Sequence, residues 1–430
     1  MESNQRTNKL SYSANLEIKT CIIGLLIANF ESRTKNMKTG KLSLATLFIF
    51  SAILLLSAAC LNYAKGNKQG PNPTVTKGVT SANPLSDPAK KKLPKNWPWR
   101  GVCMPSAHAD FKDIEYLNSI GVNFIRIQIK SPKRSEREKI NPTKAFYDEL
   151  DWVDKILDEC KKYNMTSIVA FNYLVLDPSN GVDDKSADFW TNKSYIDSTY
   201  KMVDLIAKRY KDRGDELSAY EVIGEPAVDE GDGDKASVPP GLENFFKSTL
   251  NVIRKHDQQR YFLVTPGPWG RPSNYAKFTG FNLNDPKIIY GAHMYLPNQF
   301  THQGIKKRPR PVAYPGIIAG KNWDKDALDK SMSYLKNFEN KTGALVYIGE
   351  FQAVRWAPNG NQWVKDCADI MSKNGWSWTY FAYQPDYDFW NPFMEVKNPN
   401  EAPADWKLKN SGHDADIWQY MITNYFSKNK

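Results

Sequence analysis

Histidine and cysteine are scarce in this chain, five of each in 430 residues. None of the cysteines (Cys21, Cys60, Cys103, Cys160, Cys367) forms a CxxC pair or stands at metal-ligand spacing, and no disulfide framework is implied. The histidines do not cluster, so the ligand set of a metal-dependent hydrolase is missing. No Gly-rich phosphate turn follows the first predicted strand, which argues against a doubly wound nucleotide-binding sheet. No metal and no cofactor is expected. Charge of one sign is also lacking where it would matter. The chain carries 58 Lys+Arg against 47 Asp+Glu, net +11. Residues 1–100 hold 15 of the bases and 4 of the acids, leaving 43 of each sign in residues 101–430. The folded part therefore has no overall pull on a polyanion, and a nucleic-acid partner is not expected.

Aromatic side chains, by contrast, make up 13% of the chain, with 13 Trp and 22 Tyr. They suit a large core or a cleft in which flat rings receive sugar faces, and composition does not separate the two.

The N-terminal region reads as a leader. Leu42–Ala59 is an uncharged, mostly apolar run preceded by Met37, Lys38 and Lys41 and followed by Cys60. This is the layout of an export signal, and Leu56-Ser57-Ala58-Ala59 before Cys60 is similar to a relaxed lipobox. Residues 1–36 are expected to be an upstream mis-called extension, 37–60 a signal peptide with lipidation at Cys60, and 61–95 a flexible linker rich in Pro, Gly, Asn and Lys. A retained membrane anchor is the rival, since the run is close to the ~18 residues that span a bilayer. Either reading puts residues 96–430 outside the cytoplasm, touching a membrane only through the N-terminus. A monomer is expected.

From Trp97 on, short β-rich runs alternate with amphipathic helical stretches. Predicted strands are Arg100–Met104, Asn123–Ile129, Ser167–Asn172, Ala219–Ile223, Tyr261–Thr265, Ile288–His293, Leu345–Gly349 and Trp376–Phe381. Predicted helices include Ala145–Tyr163, Ser194–Asp212, Leu242–His256, Asp326–Asn340, Gln362–Asn374 and Asp416–Phe426. Eight such units imply an α/β TIM barrel, a (β/α)₈ single domain, whose chemistry is expected at the strand C-termini.

Two of those ends carry carboxylates: Gly224-Glu225-Pro226 after strand four and Gly349-Glu350-Phe351 at strand seven. Each glutamate alone could cap a loop. Together, on facing strands, they have the makings of the carboxyl pair of a retaining glycosidase, about 5–5.5 Å apart. Arg126 lies in an otherwise apolar second strand and needs a carboxylate, for which Glu350 is the natural partner. His293 and Tyr295 alternate at the end of strand six and point to one face, where Tyr295 could bond Glu350 and His293 could tune Glu225.

In strand order, Ile125-Arg126, Gly224-Glu225-Pro226, His293-Met294-Tyr295 and Gly349-Glu350-Phe351 resemble glycoside hydrolase family 5, the cellulase A family. Phe300-Thr301-His302-Gln303-Gly304 and Glu350-Phe351-Gln352-Ala353-Val354-Arg355-Trp356 resemble its bacterial cellulase-like branch. The resemblance implies a retaining endo-β-glycanase with Glu225 as acid/base, its pKa raised, and Glu350 as nucleophile, acting on β-1,4-glucan-type polysaccharide. β-Mannan and xyloglucan are the nearest alternatives. Two features depart from the family pattern. Gly224 stands where the family has an Asn that binds the 2-hydroxyl of the cleaved sugar, and no His lies near the end of strand three. Asn172 is a candidate substitute. The first departure also motivates a glycan-binding barrel with weak turnover. Trp269, Trp378, Trp390 and His108 complete the expected substrate contacts, although each tryptophan could equally anchor a loop or the core and for His108 the bland role is the stronger alternative.

Overall fold

The computed structural model describes residues 93–429 apart from 108, 172–173, 175–182, 230–234 and 386. The expectations for the extension, the signal, Cys60 and most of the linker lie outside the described residues, as do those for His108 and Asn172.

Eight parallel strands close into a barrel in which each strand pairs with the next and the last pairs with the first. They are β1 (Arg100–Pro105), β2 (Phe124–Ile129), β3 (Thr166–Phe171), β4 (Leu217–Glu221), β5 (Tyr261–Val264), β6 (Ile288–Met294), β7 (Leu345–Phe351) and β8 (Ser377–Phe381). Closure is set by the register Arg100↔Trp378 to Cys103↔Phe381 between β1 and β8. The strands are apolar almost throughout because both of their faces are covered, one by the barrel filling and one by helices. In β2, for example, Phe124 joins Trp99, Ile168, Ala219, Ile289 and Tyr347 inside the barrel. Its alternate residues Ile125, Ile127 and Ile129 face the helical layer. Trp99 stacks on Phe124 at 4.3 Å between centroids and fills the N-terminal end of the barrel.

The helices follow from their caps and their apolar stripes. Pro142–Lys162 starts where the Asn141 side chain accepts from the Lys144 amide, and it buries Phe146, Leu150, Val153, Leu157 and Cys160 at helical spacing. Lys325–Thr342 is capped by the Asp324 carboxylate and stopped by Gly343 at φ 64°, a left-handed conformation that glycine adopts without strain. The six predicted helices lie within three residues of the observed ends. Helices at Phe111–Ser119 and Ser131–Glu138 were not foreseen, nor were two antiparallel hairpins, Gly316–Ile318 with Lys321–Trp323 and Met394–Val396 with Leu408–Asn410. Cys103, Cys160 and Cys367 are buried free thiols.

Candidate active site

Strand alternation decides which side chains enter the barrel mouth, and at one point it is broken. On β7, Leu345 and Tyr347 face inward. Strict alternation would then turn Gly349 in and Glu350 out. Instead the register against β6 shifts: Ala292 pairs with Ile348, but His293 pairs with Glu350. The extra residue is a bulge that aims Glu350 into the mouth. Gly349 allows it, because a Cβ there would lie 2.9 Å from His293 Nε2.

Glu350 is 7% exposed and firmly held. Its Oε1 accepts from Arg126 Nη1 at 2.7 Å and from Gln128 Nε2 at 3.3 Å, and its Oε2 accepts from the Tyr295 hydroxyl at 2.9 Å. Arg126 is fully enclosed and bridges two acids, since its Nε donates to Glu221 Oε2 at 2.6 Å. The guanidinium therefore has the Glu350 partner expected of it and a second one, Glu221. Burial penalises the Glu221 charge, but Arg126 and then His293 outweigh it and hold the carboxyl down at about 2.

Glu225 lies beyond the end of β4, with its side chain 33% exposed. Its Oε1 is 2.9 Å from His293 Nδ1, and the same nitrogen is 3.8 Å from Glu350 Oε2. One oxygen each of Glu225 and Glu350 and a ring nitrogen of His293 all lie within 4.8 Å of one another. This is close to the separation of roughly 5–5.5 Å at which one carboxylate attacks a sugar and the other serves its leaving group. The three atoms could also coordinate a cation, which would have to share Glu350 with the Arg126 guanidinium.

The protonation of this cluster differs from the expectation. Burial works against a charged His293, yet the Glu350 charge, the Glu221 carboxylate 3.8 Å from its Nε2 and the hydrogen bond to Glu225 push its pKa up to about 10. Burial raises Glu225, but the His293 hydrogen bond and charge, followed by the Lys185 charge, bring it below its ordinary value. The expected raised pKa of Glu225 is therefore corrected. An imidazolium beside it overrides both burial and the neighbouring carboxylate, and the pair holds one proton, on the histidine.

Gly224 has a steric cause. A Cβ at this position would lie 2.5 Å from Glu221 Oε1, 3.0 Å from His293 Cε1 and 3.1 Å from Arg126 Nη2. The buried ion cluster occupies the space a side chain would need.

Trp269 follows β5 half-buried beside the Glu225 loop, its amide bonded to the Pro226 carbonyl at 3.2 Å. Trp390 is 8% exposed and meets Tyr295 at 5.9 Å and His302 at 5.2 Å between centroids, so it reaches the mouth with an edge. Trp378 is a correction. It is fully buried, its indole N–H bonds Ser372, and it packs on Phe351 and Tyr425 under the helices. On β8 it is Thr379 that turns inward to meet Tyr347, so alternation turns Trp378 out.

Five residues at this mouth were given no role from sequence. Glu221 and Gln128 share strand parity with Arg126 or with the mouth, a signal that was available. Phe381, next to Trp390 at 5.9 Å, also follows from parity with Thr379. Lys185 had no local signal. Its Nζ donates to the Glu225 carbonyl at 2.8 Å, its own carbonyl accepts from the Asp229 amide at 2.9 Å, and its Nζ stands 5.8 Å from the Trp269 ring. His302 lay in a quoted motif without a role. It bonds Thr301 and is held at about 4 by burial and then by Arg308, so it is a neutral ring beside Tyr295.

Comparison with known proteins agrees with this geometry. Endoglucanase C of Acetivibrio thermocellus is 25% identical over 336 residues, covering 70% of this chain and 89% of that protein. Cellodextrinase A of Ruminococcus flavefaciens is 25% identical over 253 residues, covering 55% of this chain and 68% of that protein. Among solved structures, Thermotoga maritima Cel5A in complex with cellobiose shares the fold with a TM-score of 0.54 at 19% identity, covering 70% of this chain and 93% of that one. Residues 93–386 match the cellulase family as a whole. With two barrel-mouth glutamates in place and more than half of its length matched, the chain belongs to glycosyl hydrolase family 5, the cellulase family.

Proposed function

We propose that this glycoside hydrolase is a retaining endo-β-glycanase that cuts β-1,4-glucan-type polysaccharide by double displacement. Glu350 attacks the anomeric carbon and forms a glycosyl ester, and the bond to the leaving oxygen breaks as Glu225 protonates it. Water, deprotonated by Glu225, then attacks the same carbon and releases Glu350. The observation that carries this reading is the pair itself: two carboxylates with an oxygen of each within 4.8 Å, the Glu350 carboxylate braced by Arg126 at one oxygen and Tyr295 at the other, the Glu225 carboxylate bonded to His293.

The brace keeps Glu350 oriented and spreads its charge over three donors, which suits a nucleophile. The His293–Glu225 pair suits an acid/base that must change state. A pyranose covering the exposed third of Glu225 removes water from it, and that desolvation favours moving the proton from His293 to the carboxylate. Trp269 supplies a flat surface for a neighbouring ring and Trp390 an edge, with Asn172 and His108 as further contacts.

The substrate reading rests on relatives named as endoglucanases. β-Mannan and xyloglucan remain the nearest alternatives. Gly224 favours one reading of another class, a barrel that binds glycan with little turnover. The leader supports an exported, extracytoplasmic protein, lipidated at Cys60 and tethered by the linker.

A reducing-sugar screen across glucan, mannan, xylan and xyloglucan tests the reading, with proton NMR of the first product. Release of a β-anomer from a β-glucan is the expected result. Binding without release from any of these polymers overturns it in favour of the binding barrel.

A further inference from the structure

We propose that the chain carries a second saccharide site, separate from the catalytic mouth, that takes a uronate-bearing, acidic glycan. It is a cleft of about 710 Å³ between the start of the helix Gly360–Lys373 and the hairpin Met394–Val396/Leu408–Asn410. That volume is of the size that holds a small ligand. None of its lining residues belongs to the catalytic cluster.

Its charge is what identifies the ligand. The folded part of the chain has balanced charge, yet Lys365, Lys397, Lys409 and Arg355 all line this cleft. Among the described residues none of the three lysines has a carboxylate at ion-pair distance. Lys365 instead lies over the Tyr420 ring at 4.7 Å. Arg355 is 6% exposed. Its Nε donates to the Met394 carbonyl and its Nη2 to Asn361 Oδ1, each at 2.9 Å, and among the described residues its Nη1 has no hydrogen-bond partner. A nearly buried guanidinium with one unused edge is a built anion contact, since a carboxylate can take two of its donors in one plane.

The acids in the cleft cancel only part of this charge. Glu395 stands opposite Lys409 in the hairpin, and its oxygens accept from the Ser411 hydroxyl and the Asp416 amide. With Glu395 and Asp416 counted, the lining still carries a net of two positive charges. Trp406 stands in the same wall, with its N–H bonded to the Glu401 carbonyl, and supplies the flat apolar face that a pyranose stacks on. An indole beside unpaired lysines suits a ring that bears a carboxylate better than it suits a bare inorganic anion.

The test uses the full chain with Glu350→Gln, to stop turnover, and titrates it with tetragalacturonate, cellotetraose and inorganic phosphate. Tetragalacturonate is expected to bind more weakly as salt rises, and excess cellotetraose is expected not to displace it. Reversing two charges, Lys397→Glu with Lys409→Glu, is expected to weaken binding by about tenfold or more. Trp406→Ala is expected to weaken it as well. In the chain with Glu350 intact, the double reversal is expected to leave hydrolysis of neutral glucan and the melting temperature unchanged. No binding, binding that survives the reversal, displacement by cellotetraose, or equal displacement by phosphate would each overturn the proposal. None of these outcomes depends on whether neutral glucan is cut.

Discussion

His293 Nδ1 lies 2.9 Å from Glu225 Oε1, and this single contact ties the acid/base candidate to β6. Because the same ring is 3.8 Å from both Glu350 and Glu221, three carboxylates stabilise one imidazolium. The pH behaviour of the fold follows from that arrangement.

His293 has a folded pKa of about 10 against 6.5 for a free imidazole. A raised folded pKa contributes stability that is full below about 6.5 and is lost as pH rises through about 10. Glu221 has the opposite sign: its folded value of about 2 against 4.5 contributes stability that is present above 4.5 and lost as pH falls toward 2. Urea midpoints measured from pH 3 to 10 should therefore form a plateau that declines at both ends. His293→Asn should flatten the alkaline decline, and an unchanged decline would show that the imidazolium is not its source.

Glu225→Gln and Glu350→Gln should each lower kcat by roughly 10²–10⁴-fold or more, the range that positioned acid/base groups supply. The roles are distinguished by azide. With Glu225→Ala it should restore turnover on an activated substrate and give a β-glycosyl azide, and with Glu350→Ala an α-glycosyl azide. Product stereochemistry by NMR decides between them, and the reverse pattern would exchange the roles.

Lys185 holds the Glu225 loop at two points and lends it a positive charge. Lys185→Met removes that charge, so the proton held by the His293–Glu225 pair should be retained to higher pH and the alkaline limb of the kcat/KM profile should move upward. Lys185→Arg should keep the limb near its original position. A limb that does not move in Lys185→Met would leave the lysine a structural role alone.

Gly224→Ala places a methyl group 2.5 Å from the Glu221 carboxylate. Overpacking of this kind costs about 1–3 kcal/mol, to be read from urea midpoints. Because the atoms displaced belong to Glu221, His293 and Arg126, activity should fall with stability. A variant of full stability and full activity would mean that the ion cluster can move aside freely.

Trp378 and Trp269 should respond oppositely. Trp378→Ala empties a core site and should cost about 3–5 kcal/mol, with little change in KM of the folded fraction. Trp269→Ala should raise KM with a nearly unchanged melting temperature. A KM effect at Trp378 would contradict its place beneath the helices.

The sequence by itself determined the alternating elements, the closure into eight strands and the two glutamates at the mouth. These follow from local rules: apolar runs covered on both faces make strands, capped amphipathic stretches make helices, and the strand C-termini of such a barrel carry its chemistry. The tertiary structure decided the rest. The bulge at Gly349 turns Glu350 inward against strict alternation, and parity on β8 turns Trp378 outward. The protonation of Glu225 depends on His293, Lys185 and, through His293, on Glu350 and Glu221, which come from four separate segments of the chain, and local sequence carries no account of such a sum. Gly224 shows the same dependence, because a residue that reads as a missing donor in sequence leaves in space the room that the Glu221, His293 and Arg126 side chains take up.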